Sequence, residues 1–195
     1  MGKIFYIMGK SSCGKDTIYK ELMKNKKLNL KTIILYTTRP IRAGETDGVE
    51  YYFSNEEELK KIEESGRLIE MRSYETIHGT WKYFTVDDQQ INLNQYNYLV
   101  IGTLVSYGKI KEYYGRDILF PIFIELDDGI RLKRAIDREM QQQEPMYKEV
   151  CRRFLADCED FSEDKIKQAG IEKRYTNKDF KTCIEEIEHD MKSFL

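Results

Sequence analysis

The first residues of this chain that could do chemistry are Gly9-Lys10-Ser11-Ser12-Cys13-Gly14-Lys15, a G-x-x-x-x-G-K pattern. Glycines at those positions let backbone N–H groups turn inward and cradle phosphate oxygens. A helix opening directly afterwards adds about half a positive charge at the same anion. Lys15 contributes a full charge able to reach the β- and γ-phosphates of a nucleoside triphosphate. The next position commonly carries a Ser or Thr hydroxyl for magnesium; here it is Asp16, followed by Thr17. Asp16 could ligate Mg²⁺ itself, or face away and leave the ion to Thr17 or water. A carboxylate beside a polyphosphate is repulsive unless a cation lies between them, so strong magnesium dependence is expected.

A second constellation lies in Thr37–Phe53. Arg39 and Arg42 sit in a loop flanked by hydroxyls, and Tyr51 follows. Two guanidinium forks converging beside a tyrosine hydroxyl suit a dianionic phosphate. Further on, Arg131, Arg134 and Arg138 share one helix face at i, i+3, i+7, with Arg152 and Arg153 on the next helix. Taken alone, such arginines are more often a solvated face than a site.

These groups need elements to hold them. Ile4–Met8 is a short apolar β-prone run before the glycines, and 15–23 reads as a helix with Ile18, Leu22 and Met23 on one stripe. Thr32–Tyr36 is a second β-prone run. Ser54 or Asn55 can cap a helix that stops at Gly66. Leu68–Ile77 and Trp81–Val86 read as strands folded back at His78-Gly79. Tyr98–Ile101 and Leu119–Leu126 read as buried strands with a crossover helix, 104–114, between them. Helices are expected over 127–140, 146–161 and 179–194. Strands alternating with helices give an α/β class with a parallel sheet; 37–88 interrupts that alternation with antiparallel character and reads as an inserted lobe.

Composition narrows the partners. Lys+Arg number 32 and Asp+Glu 34, a net charge of −2, so nothing biases the chain toward nucleic acid or an anionic membrane. No apolar run is long enough to span a bilayer. Cys13, Cys151, Cys158 and Cys183 lack metal-binding spacing and only two histidines are present, so reduced thiols in a cytoplasmic protein are expected.

From Thr37 to Phe53 the chain matches T-T-R-x-x-R-x-G-E-x-x-G-x-x-Y-x-F at every fixed position. It thereby resembles the guanylate kinase family, and the likeness extends over nearly the whole chain. The resemblance implies that Arg39, Arg42 and Tyr51 hold the phosphate of GMP. Leu68-Ile69-Glu70 is similar to the family's F-[IL]-E, which implies that Glu70 accepts from guanine N1 and N2. Tyr83-Phe84-Thr85 resembles Y-G-[ST], which implies a tyrosine on phosphate and a hydroxyl on the base; Phe84 replaces the glycine, and Gly79-Thr80 offers another register. Leu35 stands where the family usually has a serine touching guanine. No acid occupies Leu99–Thr103, where Thr103 would stand in as a weaker acceptor. Arg138 and Arg153 match the lid arginines that clamp the phosphates, and Asn177 resembles an asparagine near the adenine.

The expected architecture is therefore a P-loop kinase core (1–36 and 96–195), a small mixed α/β acceptor lobe (about 37–90) and a helical lid (about 134–155). Its implied chemistry is in-line transfer from ATP to GMP, and dGMP, with Lys15, Arg42, Arg138 and Arg153 at the transferring group and Mg²⁺ as cofactor. Gly9 through Thr17, with Asn177, form the ATP side; Arg39, Arg42, Tyr51, Glu70, Tyr83, Thr85 and Thr103 form the GMP side. A monomer or homodimer without nucleic-acid or membrane partners is expected. A kinase with another phosphorylated acceptor and a non-catalytic phosphopeptide-binding module are the alternatives; such modules typically lose the phosphate loop, which is present here.

Overall fold

The computed structural model describes every residue except Ala43, Ile77 and His78, so the expected turn at His78 lies outside the described residues. Strand β1 (Ile4–Met8) is wholly buried and central in a five-stranded sheet of order β2-β7-β1-β8-β9. Every neighbour pairs in parallel: β7 (Asn97–Ile101) and β8 (Leu119–Glu125) with β1, β2 (Leu30–Thr32) with β7, and β9 (Arg174–Thr176) with β8. Side chains of period two divide β1 between two cores. Ile4, Tyr6 and Met8 pack with α3 (Leu104–Tyr114) and α6 (Glu163–Gln168). Phe5 and Ile7 face Ile18 and Leu22 of α1 (Lys15–Met23) and Cys183, Ile187 and Met191 of α7 (Phe180–Phe194). The α/β class with a parallel sheet flanked by helices is the one expected.

A second sheet has the order β4-β3-β6-β5. Its long hairpin pairs β5 (Leu68–Thr76) with β6 (Gly79–Val86) antiparallel, while β3 (Tyr36–Thr37) lies antiparallel to β6 and parallel to β4 (Tyr52–Phe53). Helix α2 (Glu56–Glu64), capped by the Asn55 side chain, closes a small core of Leu59, Ile62, Phe84 and Val86. The single strand expected over 32–36 is instead divided between the two sheets. Ile34 lies between them and pairs its N–H and C=O with the Gln90 side chain, at 2.8 and 3.2 Å. An amide side chain can satisfy both backbone groups where the chain leaves one sheet for the other. Helix α6 and strand β9 carried no sequence expectation. Helices α4 (Asp128–Glu139) and α5 (Tyr147–Asp160) lie against each other beyond β8. No helix among the described residues is long and apolar enough to cross a membrane.

Candidate active site

The glycine-rich loop runs from the carboxyl end of β1 into α1. Gly9 has φ 146°, and a Cβ there would collide with the Ile124 carbonyl on β8. Gly14, with φ 97°, is the residue from which α1 starts, and its Cβ would collide with the Asn177 amide. Both glycines are required by positive φ and by close approach. Asn177, only 4% exposed, donates from Nδ2 to the Cys13 carbonyl at 2.7 Å. It thus holds the loop from beneath. Cys13 is buried, and burial pushes its thiol pKa up, so it fills space as a neutral thiol. Lys15 Nζ donates to the Lys10 carbonyl at 3.1 Å. Asp16 and Thr17 are both exposed at the start of α1.

Helices α4 and α5 lie over this loop. Arg131, expected on a charged helix face, is 2% exposed. Its guanidinium donates to the Ser11 carbonyl at 2.9 Å and to Asp128 at 2.7 and 3.0 Å, and its Nη1 lies 3.6 Å from Asp157. Asp157, on α5, accepts from the Ser11 N–H at 2.7 Å. Sequence reasoning did not single out Asp157, and it gave Arg131 no role at the loop. The i, i+3 spacing of Asp128 and Arg131 was the available signal. Exposed Arg138 and Arg153 approach the Ser12 and Ser11 hydroxyls, each at 3.4 Å. Guanidinium groups from two helices thus converge on the loop that would hold a triphosphate.

The arginine loop is stitched to β6 by its two threonines. Thr37 Oγ1 donates to the Lys82 carbonyl at 2.9 Å, and Thr38 Oγ1 accepts from the Lys82 N–H at 3.0 Å. Arg39 is 4% exposed and makes a bidentate pair with Glu45, at 2.6 and 2.7 Å. Its guanidinium also lies 5.1 Å from the Tyr51 ring centre and 5.3 Å from that of Phe53. Hydrogen bonding from Arg39 holds the Glu45 carboxyl pKa down at about 2. Arg42 is exposed and lies 5.7 Å over the Trp81 ring. Tyr51 meets Tyr83 edge to face at 5.5 Å, and burial raises its phenol pKa.

Tyr51, Trp81 and Tyr83, though neither Arg39 nor Arg42, line a cavity of about 480 Å³ between the sheets, together with Lys15, Leu35, Arg72, Tyr74, Ile101, Gly102 and Thr103. Lys15 therefore belongs both to the phosphate loop and to this second compartment. Thr103 reaches the cavity while its hydroxyl caps α3 through Ser106, at 3.1 Å to Oγ and 3.3 Å to N. Thr85 and Glu70 are buried, 1% and 4% exposed, and neither lines the cavity. The Thr85 hydroxyl donates to Glu70 Oε1 at 2.8 Å. Glu70 Oε2 lies 3.2 Å from Arg72 Nε without hydrogen-bond alignment. Arg72 carried no expectation from the sequence.

Comparison with known proteins accords with this geometry. The family model described as guanylate kinase matches residues 1–92. A guanylate kinase of Caldanaerobacter subterraneus subsp. tengcongensis is 34% identical over 83% of this chain and 74% of its own length. One of Porphyromonas gingivalis is 29% identical over 100% of this chain and 99% of its own. A crystal structure of guanylate kinase from Anaplasma phagocytophilum superposes with a TM-score of 0.65 at 18% identity, covering 98% of this chain and 85% of that one, which establishes a shared fold. With phosphate loop, arginine loop and intervening cavity in one arrangement, and relatives matched at this length, the chain belongs to the guanylate kinase family.

Proposed function

We propose that the protein transfers the γ-phosphoryl group of ATP to the phosphate of GMP, and of dGMP. One observation carries the reading: Lys15 lines the acceptor cavity while standing in the loop built for the donor's phosphates. A donor and an acceptor placed on either side of that ammonium are neighbours, as in-line transfer requires. Arg39, Arg42, Tyr51 and Tyr83 hold the acceptor phosphate. Arg39 must then exchange part of its Glu45 pairing for the ligand. Gly9 through Gly14 cradle the donor, and Asn177 keeps the loop in shape. Arg138 and Arg153 offset charge on the transferring group as α4 and α5 close.

No general base is needed, because a phosphate monoester has its second ionisation near roughly pH 6 and attacks as an anion. The family implies a divalent metal. No cluster of three or more His, Cys, Asp or Glu able to hold one exists among the described residues. Asp16 and Thr17, both exposed at the start of α1, are the residues that would hold an ion carried mainly by triphosphate oxygens and water, through the Asp16 carboxylate or the Thr17 hydroxyl. Bound there, Mg²⁺ would neutralise the polyphosphate.

The test is ATP turnover against GMP, dGMP, AMP, UMP and ribose 5-phosphate with purified protein and Mg²⁺. Turnover with GMP and dGMP is expected. Faster transfer to AMP, UMP or ribose 5-phosphate than to GMP, or nucleotide binding with no transfer to any of them, would overturn the reading.

A further inference from the structure

The acceptor cavity carries a charge that the family pattern does not account for. Arg72 lies two residues beyond Glu70 on β5, so the two side chains leave the same face of the strand. Arg72 stands opposite Tyr83, and Glu70 opposite Thr85. Of the two, Arg72 lines the cavity and Glu70, with a side chain 1% exposed, does not.

The guanidinium is oriented by that neighbour. Its Nε lies 3.2 Å from Glu70 Oε2, and its Nη2 donates to Oε1 at 3.4 Å. One edge of the plane is thus turned to the buried carboxylate. Nη1 has no hydrogen-bond partner among the described residues, and the edge it forms with Nη2 is left for the cavity. Two lining positions that could have read a base offer little: the Leu35 side chain has no polar atom, and the Thr103 hydroxyl is engaged with Ser106.

A guanidinium edge presents two parallel donors and needs two adjacent acceptors. Guanine offers O6 and N7 side by side, whereas adenine sets an amino donor next to N7. We propose that Arg72 is the specificity-determining residue of this pocket, donating to O6 and N7 of the acceptor base, with Glu70 a positioning residue that holds the guanidinium instead of touching the base. This rests on the reading of the cavity as a GMP site.

The assignment separates substrates that a carboxylate reading N1 and N2 would not. IMP keeps O6 and N7 but lacks the 2-amino group. The monophosphate of 7-deazaguanosine keeps N1 and N2 but lacks N7. The experiment measures kcat/KM of the full chain with ATP and GMP, IMP, 7-deaza-GMP and AMP, for wild type, Arg72→Met, Arg72→Lys and Glu70→Gln. Arg72→Lys keeps a charge beside Glu70 and loses the fork, which covers poor folding of Arg72→Met.

Wild type is expected to use IMP within a few-fold of GMP, and to favour GMP over 7-deaza-GMP and AMP by roughly tenfold to a hundredfold, the worth of one bidentate contact. In both Arg72 variants those two ratios fall toward one, while the GMP-to-IMP ratio stays put. Glu70→Gln raises KM for GMP and IMP together without changing their ratio. Unchanged ratios in both Arg72 variants, with GMP still phosphorylated, sink the Arg72 assignment alone. So does a wild-type preference for GMP over IMP that Glu70→Gln abolishes. An equal loss on every nucleotide would place Arg72 on the phosphate instead. If wild type phosphorylates no GMP at all, the GMP reading falls and this assignment with it.

Discussion

Residue types chosen for one charge state recur through this site, and the Arg39–Glu45 pair shows what such a choice does to stability. The carboxyl has an ordinary pKa of 4.5 and one of about 2 when folded, chiefly because Arg39 donates to it. A depressed carboxyl pKa contributes stability that is present above the unfolded value and lost as pH falls through the folded one. The arginine loop should therefore loosen progressively between about pH 4.5 and pH 2. Tyrosine fluorescence followed through an acid titration would register this in wild type, and Glu45→Gln should flatten the curve over that window. The same pair bears on the proposed activity, since a phosphate arriving at Arg39 meets a guanidinium already desolvated and aimed.

At the scale of elements, α4 and α5 act as a pair. Buried Arg131 ties α4 to the Ser11 carbonyl, while Asp157 ties α5 to the Ser11 N–H, so both helices are fastened to one residue of the phosphate loop. Arg138 and Arg153 lie farther out and touch serine hydroxyls only at 3.4 Å. Contacts that long and exposed add little to stability. Arg138→Ala and Arg153→Ala should leave the melting free energy within about 0.5 kcal/mol of wild type. Each should lower kcat by about 10²-fold to 10³-fold, the usual effect of removing one charge-stabilising donor. Steady-state kinetics beside thermal melts checks this. A fallen melting temperature with intact kcat would make these arginines structural.

For the whole molecule, the parallel sheet is the frame on which both compartments hang. The phosphate loop leaves the end of β1, Thr103 follows β7, and the Asn177 support follows β9. Ligand groups gathered at the carboxyl ends of parallel strands are typical of open α/β sheets. Ile7, on β1, is fully buried among residues from α1 and α7. Ile7→Ala should cost about 2–5 kcal/mol through lost transfer energy and the cavity left behind. Urea unfolding gives the value, and a midpoint shift with unchanged slope is the expected form.

Much of this was legible in the chain itself, for reasons that are local. Glycines at 9 and 14 ahead of Lys15 announce a phosphate loop because backbone geometry and a helix start are decided within a few residues. Alternating apolar runs announce the parallel sheet, α1 falls where its apolar stripe sets it, and α3 is the crossover expected between two strands. The arginine loop is a contiguous motif, so its resemblance could be read directly. The split of 32–36 between two sheets was not legible, because Gln90 is what satisfies Ile34 and lies far along the chain. Nor was the burial of Arg131, whose partners Ser11 and Asp157 come from other elements. Arg72 was the least visible. Its character depends on Glu70 beside it, Tyr83 across the hairpin and a cavity closed by residues of the other sheet. The sequence by itself determined the phosphate loop, the fold class and the family. The tertiary structure alone decided which charges are buried, which are paired and which face a ligand, because burial and electrostatic partnership depend on residues distant in sequence.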